Sequence, residues 1–287
     1  MLKALVVFLY LIGIGVILGV TALLAKRSAV RPVPDTAPLN GHHAADTAVG
    51  TRSARSSIIG MLLILAAGAA VVFALVCLLG LLVVHAAPGF DKTIYTWMIH
   101  HRMHSWKSVM NRATKVGDTW TTWGATVAAA ICLAALYRRD KWLPPVALGA
   151  AIVVDHYVTQ ALRHTFHRLG PPDSPLGTFP SGGCDRIIVL YGLIAYLIWR
   201  EVSGTRRGAI WSAGAVALLA FNEAYSRAYL TLHWTSDIIS GLIYGGLLLI
   251  VFIATIRLVV GPARARAPEG MPVHPAPVVG QHAPSAQ

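Results

Sequence analysis

The sequence has 287 residues, of which 55% are hydrophobic and only 13% are charged, and its mean hydropathy is +0.61. Soluble globular proteins carry about a quarter charged residues, so this composition excludes a soluble domain and indicates a membrane protein. The formal net charge of +12 comes from clusters next to predicted helix ends. It therefore reflects membrane topology, and we expect no nucleic-acid partner.

Seven apolar blocks predict membrane-spanning helices, because a bilayer core needs roughly 20 apolar residues per helix. The blocks cover residues 4–25, 58–84, 119–137, 143–162, 187–200, 209–226 and 236–258. Placing all basic clusters in the cytoplasm puts the N-terminus outside and the C-terminus inside. The sequence therefore predicts an all-α integral membrane protein.

The chain divides into four predicted regions. Residues 1–25 form an uncleaved transmembrane anchor, because the apolar stretch is too long for a signal peptide and lacks a clear cleavage site. Residues 26–57 lack periodicity and predict a flexible cytoplasmic linker. Residues 58–260 hold the other six spans, and residues 261–287 predict a disordered cytoplasmic tail.

The strongest chemical pattern is "SRAYLTLHWTSD", residues 226–237, which we place at the outer membrane edge. Asp237 lies one helical turn beyond His233 and is predicted to accept a hydrogen bond from its ring. Such a bond would leave the other imidazole nitrogen free to attack. Arg227 supplies a forked donor suited to phosphate oxygens.

Two further segments lie at the same edge. In "ALRHTFHRLGPP", residues 161–172, Arg163 and Arg168 place two positive charges outside. In "FPSGG", Ser181, Gly182 and Gly183 precede the fifth span, so their backbone N–H groups predict an anion-binding helix start.

Together these segments resemble the type 2 phosphatidic acid phosphatase (PAP2) superfamily. Its pattern is Lys-x6-Arg-Pro, then Pro-Ser-Gly-His, then Ser-Arg-x5-His-x3-Asp. The third motif matches completely, at Ser226, Arg227, His233 and Asp237. The resemblance covers about 58–260 and implies a six-helix PAP2-like transmembrane bundle, with the N-terminal transmembrane helix as an addition.

The other two motifs depart from the family pattern. Arg163 stands where lysine is usual, and Gly170 stands where the second arginine is usual, so Arg168 is a candidate to replace that charge. In the second motif, Gly183 stands where the family has a histidine. By resemblance, that histidine would protonate the leaving group.

The resemblance implies a metal-independent phosphatase without cofactors, acting on a lipid phosphate at the outer face of a plasma membrane. His233 would be the nucleophile that forms a phosphohistidine, and Asp237 would orient it. Arg163, Arg168, Arg227 and the helix start at Ser181, Gly182 and Gly183 would bind the phosphate. The style of the resemblance and the Ala- and Arg-rich composition favour a bacterial source.

The glycine at position 183 determines which substrate we expect. A general acid contributes about 10²–10⁴ in rate, and a phosphate leaving from a lipid diphosphate needs it less than an alkoxide does. We therefore expect a polyprenyl or other lipid diphosphate. The candidates for a substitute acid are His164, His167 and Asp185.

Other functions stay open at this stage. A non-catalytic relative that binds a lipid phosphate, or a phosphotransferase, is favoured by Gly183, whereas His233 and Asp237 favour the hydrolase. A transporter or channel has only the span count in its favour.

Three further expectations concern the surroundings of the site. Glu223 precedes Arg227 by one turn and is predicted to hold its guanidinium. Asp155 is expected to pair with a partner inside the bundle. Residues 90–116 predict an amphipathic helix at the outer membrane interface.

Overall fold

The computed structural model describes residues 43–172, 174 and 179–261, with only the backbone for residues 43–56. Two short 3-10 helices, His104–Trp106 and Thr114–Gly117, flank α3. The α-helices are α1 His43–Ala86, α2 Pro88–His101, α3 Lys107–Ala113, α4 Thr119–Leu136, α5 Leu143–Phe166, α6 Gly182–Val202, α7 Arg206–Tyr229 and α8 Thr235–Val260.

Five helices are long and apolar enough to cross a membrane: α1 from Ser57 onward, α4, α5, α6 and α8. Helix α7, at the predicted span 209–226, has 24 residues but is less apolar and is not among them, so the described residues contain five of the six spans predicted there. Its polar residues Asn222, Glu223 and Arg227 lower its hydropathy, and all three make contacts toward the interior or the site. The predicted anchor at residues 1–25 and the tail beyond Gly261 lie outside the described residues.

The predicted linker differs from the structure in its second half. Residues 43–57, which we assigned to the linker, are part of α1. A helix adds residues at little cost once it has begun, and the stretch is rich in alanine, so the apolar span extends into the preceding residues. Residues 26–42 lie outside the described part of the chain.

The core lies where α8 packs against α1, α6 and α7, with α4 and α5 packed together beside α6. It is built from aliphatic and aromatic side chains, such as Leu190, Leu193, Leu248 and Phe252, that are fully buried. Large apolar side chains also face outward on the spans, including Leu63, Leu82 and Leu258. An exposed apolar surface of this kind suits contact with lipid.

The predicted interfacial segment 90–116 is broken rather than a single helix. Helix α2 ends at His101, the backbone of the following residue, Arg102, is extended, and the chain continues through a 3-10 turn into α3. The break is held by α7, because the Tyr229 hydroxyl donates to the Met103 carbonyl at 2.7 Å. This tertiary hydrogen bond has no local sequence signal.

One end of the bundle collects the ends of four helices. Helices α5 and α7 end there, and α6 and α8 begin there. Helices α2 and α3 pack across this end against α7 and α8. All three segments that we singled out from the sequence therefore meet at one place.

Candidate active site

The loop that leads into α6 is fixed to the start of α8. Phe179, Pro180 and Ser181 are buried, and the Ser181 N–H donates to the Asp237 carbonyl at 3.0 Å. Gly182 and Gly183 then open the helix, so their N–H groups precede its first intrahelical hydrogen bonds. The predicted helix start is therefore present, and anion binding by its N–H groups stays a prediction.

Arg227 lies in the last turn of α7 and is 5% exposed. Its Nε forms an ion pair with Glu223 one turn earlier, which confirms the predicted role of that carboxylate. Glu223 also accepts a hydrogen bond from the Thr114 hydroxyl at 3.3 Å, and Asp118 lies 3.7 Å from Arg227 Nη2. The guanidinium is therefore held in one orientation.

Gly183 touches this guanidinium. A Cβ atom placed on Gly183 would overlap the Nη2, Cζ and Nε atoms of Arg227. Arg227 and a side chain at position 183 therefore compete for the same space. The glycine at the usual histidine position is a packing requirement of the observed Arg227 orientation.

Two more arginines flank Gly182. A Cβ atom placed on Gly182 would lie 2.7 Å from Arg163 Nη2 and 3.1 Å from Arg186 Nη1. Arg186 also donates to the Gly117 carbonyl, from Nε at 3.2 Å and from Nη2 at 3.1 Å. The sequence analysis missed Arg186, although a residue three or four positions after two helix-opening glycines lies on their face of the helix.

His233 follows α7 in a short turn and is 5% exposed. Burial, together with the positive charges of Arg227, Arg163 and Arg186, lowers the pKa of His233 well below its ordinary value of 6.5. At neutral pH the imidazole is therefore uncharged and carries a free lone pair.

The predicted hydrogen bond between the His233 ring and Asp237 is not formed. His233 Nδ1 and Asp237 Oδ2 are both buried, and neither has a hydrogen-bond partner among the described residues. Asp237 Oδ1 is engaged instead by Arg168. Helical spacing predicts that Asp237 lies near His233, but it cannot exclude that a third residue, here Arg168, engages the carboxylate instead.

Arg168 is an ion-paired residue rather than a free phosphate ligand. It pairs with Asp237 and, at 2.6 Å, with Asp91 of α2, and it donates to the Ser236 hydroxyl at 2.9 Å. Asp91 also accepts from the Ser236 N–H at 2.9 Å and from its hydroxyl. This group ties α2 to the start of α8, and sequence reasoning missed Asp91 because its partners are remote along the chain.

The three candidate substitute acids are placed differently. His164 and His167 are exposed at the end of α5, with ring centroids 6.3 Å apart. Asp185 is fully buried and accepts from the Thr159 hydroxyl at 3.1 Å and from the Arg186 N–H at 2.5 Å. In the described part of the chain, no hydrogen bond or ion pair joins any of the three to His233.

Asp155 departs from expectation. It is fully buried in α5, and neither carboxylate oxygen has a hydrogen-bond partner among the described residues. The predicted structural pairing is therefore not seen. Within the described ranges, no group of three or more His, Cys, Asp or Glu residues is arranged to hold a metal ion.

A cavity of about 400 Å³ opens beside the site, between α2 and the turn before α8. Its walls combine apolar and aromatic surface with a few charged groups. The lining residues are Pro88, Asp91, Lys92, Tyr95, Thr96, Arg168, Pro172 and Trp234. His233 is not among these residues, but Trp234 directly follows it in the chain, so the cavity lies beside the turn that carries the candidate nucleophile.

No family model matches the sequence, and no curated protein sequence matches it. Among solved structures, the fold is that of a transmembrane PAP2-type phosphatase. The similar structure is a PAP2-type phosphatidylglycerolphosphate phosphatase from Bacillus subtilis, with a TM-score of 0.57 and 20% sequence identity. The alignment covers 65% of this chain and 94% of that one. The predicted all-α membrane fold of the PAP2 type is thereby confirmed, and the activity has to be argued from the site.

Proposed function

We propose that this protein is a metal-independent lipid phosphatase of the PAP2 type that works through a phosphohistidine on His233. One observation carries the proposal. A buried histidine lies near enough to Arg227, Arg163 and Arg186, whose guanidinium groups surround the opening of α6, for their charges to help keep it uncharged. An uncharged nucleophile beside fixed positive charges is what attack on a phosphate anion requires.

The proposed reaction has two steps. A nitrogen of His233 attacks phosphorus, and the bond from phosphorus to the leaving oxygen breaks with its electron pair on that oxygen. Water then attacks the phosphohistidine, which releases inorganic phosphate and restores the neutral imidazole. Arg163, Arg227 and the N–H groups of Gly182 and Gly183 would stabilise the negative charge on the phosphoryl oxygens in both steps.

In this proposal Asp237 orients the nucleophile. His233 Nδ1 and Asp237 Oδ2 are two buried polar atoms that each need a partner. A hydrogen bond between them would satisfy both atoms and fix the imidazole tautomer. It would leave Nε2 as the attacking nitrogen, and Asp237 would keep its ion pair with Arg168 through Oδ1.

The preferred substrate in this proposal is a polyprenyl or other lipid diphosphate. Gly183 carries no side chain, and Arg227 in its observed orientation fills the space beside it, so position 183 supplies no general acid. A leaving phosphate is much less basic than an alkoxide and departs without a proton donor. The cavity beside Trp234 would receive the lipid next to the head group.

We place the site at the extracytoplasmic face of a bacterial plasma membrane. The opposite end of the bundle carries the loop between α4 and α5, with Arg138, Arg139 and Lys141, and the start of α7, with Arg206 and Arg207. Cytoplasmic loops are enriched in such residues.

A second function is favoured by the same glycine. A PAP2 relative that binds a lipid phosphate without hydrolysing it, or that transfers the phosphoryl group to an acceptor other than water, needs no leaving-group acid at position 183. The buried and uncharged His233 argues against pure binding, because the arginines alone would suffice for it.

The test is phosphate release by the full chain purified in detergent, without added metal. A polyprenyl diphosphate and a lipid monophosphate are offered side by side to the wild type and to His233→Ala. The matched control is His85→Ala, which alters an exposed histidine at the end of α1.

The proposal expects release from the diphosphate that is lost in His233→Ala and kept in His85→Ala. Faster release from the monophosphate would contradict the substrate preference. No release from either lipid, with lipid phosphate still bound, would support the non-hydrolytic alternative.

A further inference from the structure

The four arginines of the site fall into two classes by their partners. Arg168 pairs with Asp91 and Asp237, and Arg227 pairs with Glu223. In the part of the chain that the structure describes, neither Arg163 nor Arg186 forms an ion pair.

The two unpaired guanidinium groups converge on one point. Arg163 Nη2 and Arg186 Nη1 both lie within about 3 Å of the position that a Cβ on Gly182 would take. Arg186 uses its other two nitrogens on the Gly117 carbonyl, so Nη1 is its remaining donor group. The Arg163 Nε is buried and has no hydrogen-bond partner among the described residues.

Two adjacent cations that lack an ion-pair partner carry a free-energy cost in a partly buried site. Asp155 and Asp185 are near enough to interact electrostatically with both arginines, but among the described residues neither carboxylate forms an ion pair with either guanidinium. Asp185 accepts instead from the Thr159 hydroxyl and from the Arg186 backbone N–H. The start of the 21-residue helix α6 adds a further positive partial charge at Gly182. A dianion is the ligand that balances this arrangement.

We propose that Arg186 is a phosphate-binding residue that forms, with Arg163, a clamp for a tetrahedral phosphate dianion at Gly182, and that Arg168 is not part of the clamp. A phosphate monoester or free phosphate carries a charge of about −1.5 to −2 at pH 7, which matches the two unpaired cations. This inference deepens the proposed function and rests on it for the identity of the lipid. The phosphate group itself can belong to a lipid head group or to inorganic phosphate.

The test measures binding, not turnover. Dissociation constants for inorganic phosphate, and for phosphatidic acid in mixed detergent micelles, are determined for the full-length wild type and for Arg186→Gln. The matched control is Arg102→Gln, since Arg102 lies at the same end of the bundle and its side chain donates to the Thr231 hydroxyl at 3.5 Å, away from Gly182. Thermal unfolding without phosphate is measured for each variant.

Arg186→Gln is expected to weaken phosphate binding roughly 10- to 100-fold, the effect of losing one charge-assisted hydrogen bond. Arg102→Gln is expected to bind like the wild type. Weaker binding of both probes supports a clamp that serves the lipid head group. Weaker binding of inorganic phosphate, with no binding of phosphatidic acid by the wild type, supports a clamp for free phosphate.

The proposal is overturned if Arg186→Gln unfolds at a lower temperature but binds both probes like the wild type, because Arg186 would then only anchor Gly117. It is also overturned if the wild type binds neither probe. Should Arg186→Gln fail to fold, Arg186→Lys decides, because lysine keeps the charge but loses the fork, and unchanged affinity would exclude the clamp.

Failure of the proposed function is distinguishable from failure of this inference. If the wild type binds phosphate through Arg186 but releases none from any lipid, the clamp is supported and the phosphatase function is contradicted. If the wild type releases phosphate normally but Arg186→Gln binds phosphate like the wild type, the phosphatase function stands and the clamp is excluded.

Discussion

The guanidinium of Arg227 lies against Gly183, in the space that a side chain at position 183 would have to occupy. In the PAP2 pattern that position belongs to a histidine. The ion pair with Glu223 and the contact with Asp118 hold Arg227 in place, so the arginine cannot yield the space without breaking them. The missing acid and the position of Arg227 are thus one structural feature.

Gly183→Ala should therefore disturb both folding and activity. Overpacking of this kind costs roughly 1–3 kcal/mol of unfolding free energy, and the displaced Arg227 would bind phosphate less well. We expect a lower unfolding temperature and slower phosphate release. Gly183→His is expected to behave similarly and not to restore release from a lipid monophosphate.

The matched control is Gly246→Ala in α8, where an added Cβ meets no atom within 4 Å. It is expected to unfold at or above the wild-type temperature. A Gly183→Ala protein with wild-type stability and rate would show that Arg227 is not held as described.

The acidic limb of the pH profile should reflect the lowered pKa of His233. Because burial and neighbouring arginines keep its pKa well below 6.5, the imidazole stays uncharged in mildly acidic solution. We expect the acidic limb of kcat/KM to lie well below pH 6.5. Arg163→Gln should move it upward, because one of the charges that oppose protonation is removed.

The same shift affects folding. As the pH falls below 6.5, the unfolded chain protonates this histidine while the folded protein does not, so the free energy of unfolding decreases down to the lower folded-state pKa. His233→Ala should remove this part of the pH dependence, measured by thermal unfolding. An acidic limb that stays near pH 6.5 in every variant would refute the lowered pKa.

The hydrogen bonds and the ion pair that join Asp91 of α2 to Arg168 and to the start of α8 should contribute to stability. Asp91 is 1% exposed and accepts from Arg168 and from Ser236, so Asp91→Asn breaks a buried pair. Such a loss costs roughly 3–5 kcal/mol when one charge is left unpaired. Here Asp237 still compensates Arg168, so we expect a value toward the lower end, measured by unfolding in detergent.

The control for this prediction is Asp140→Asn, which alters an exposed carboxylate between α4 and α5. A double-mutant cycle with Arg168→Gln should show that Asp91→Asn costs less once the arginine is gone. Strict additivity of the two substitutions would contradict the ion pair.

The cavity beside Trp234 should serve the lipid part of the substrate. Tyr95 lines it, and its ring centroid lies 5.6 Å from that of Trp234. Removing the aromatic ring in Tyr95→Ala should raise KM for a long-chain lipid phosphate roughly tenfold or more, because apolar contact area is lost. KM for a short, water-soluble phosphate should stay unchanged.

Tyr157→Ala is the matched control, since Tyr157 is 69% exposed on α5 and lies outside the cavity. If both substitutions change KM equally, or if Tyr95→Ala changes KM equally for both substrates, the cavity does not bind the lipid part of the substrate.

The sequence by itself determined the features that depend on local composition and spacing. Apolar run length predicts the five helices that are long and apolar enough to cross a membrane, and the interval from Glu223 to Arg227 predicts their ion pair. The helix opening at Gly182 follows from the glycines after a proline. The third motif brings His233, Asp237 and Arg227 to one membrane edge because all three lie within a single helix–turn–helix segment.

Only the tertiary structure decided which charges are available to a ligand. Arg168 is paired with carboxylates 69 and 77 residues away along the chain, and Arg186 is anchored to a carbonyl 69 residues away. Sequence spacing contains no information about such partners, so Arg168 was expected to be free and Arg186 was overlooked. Because a paired arginine is electrically compensated and an unpaired one is not, the helix packing determines which arginines are left uncompensated for the proposed phosphate.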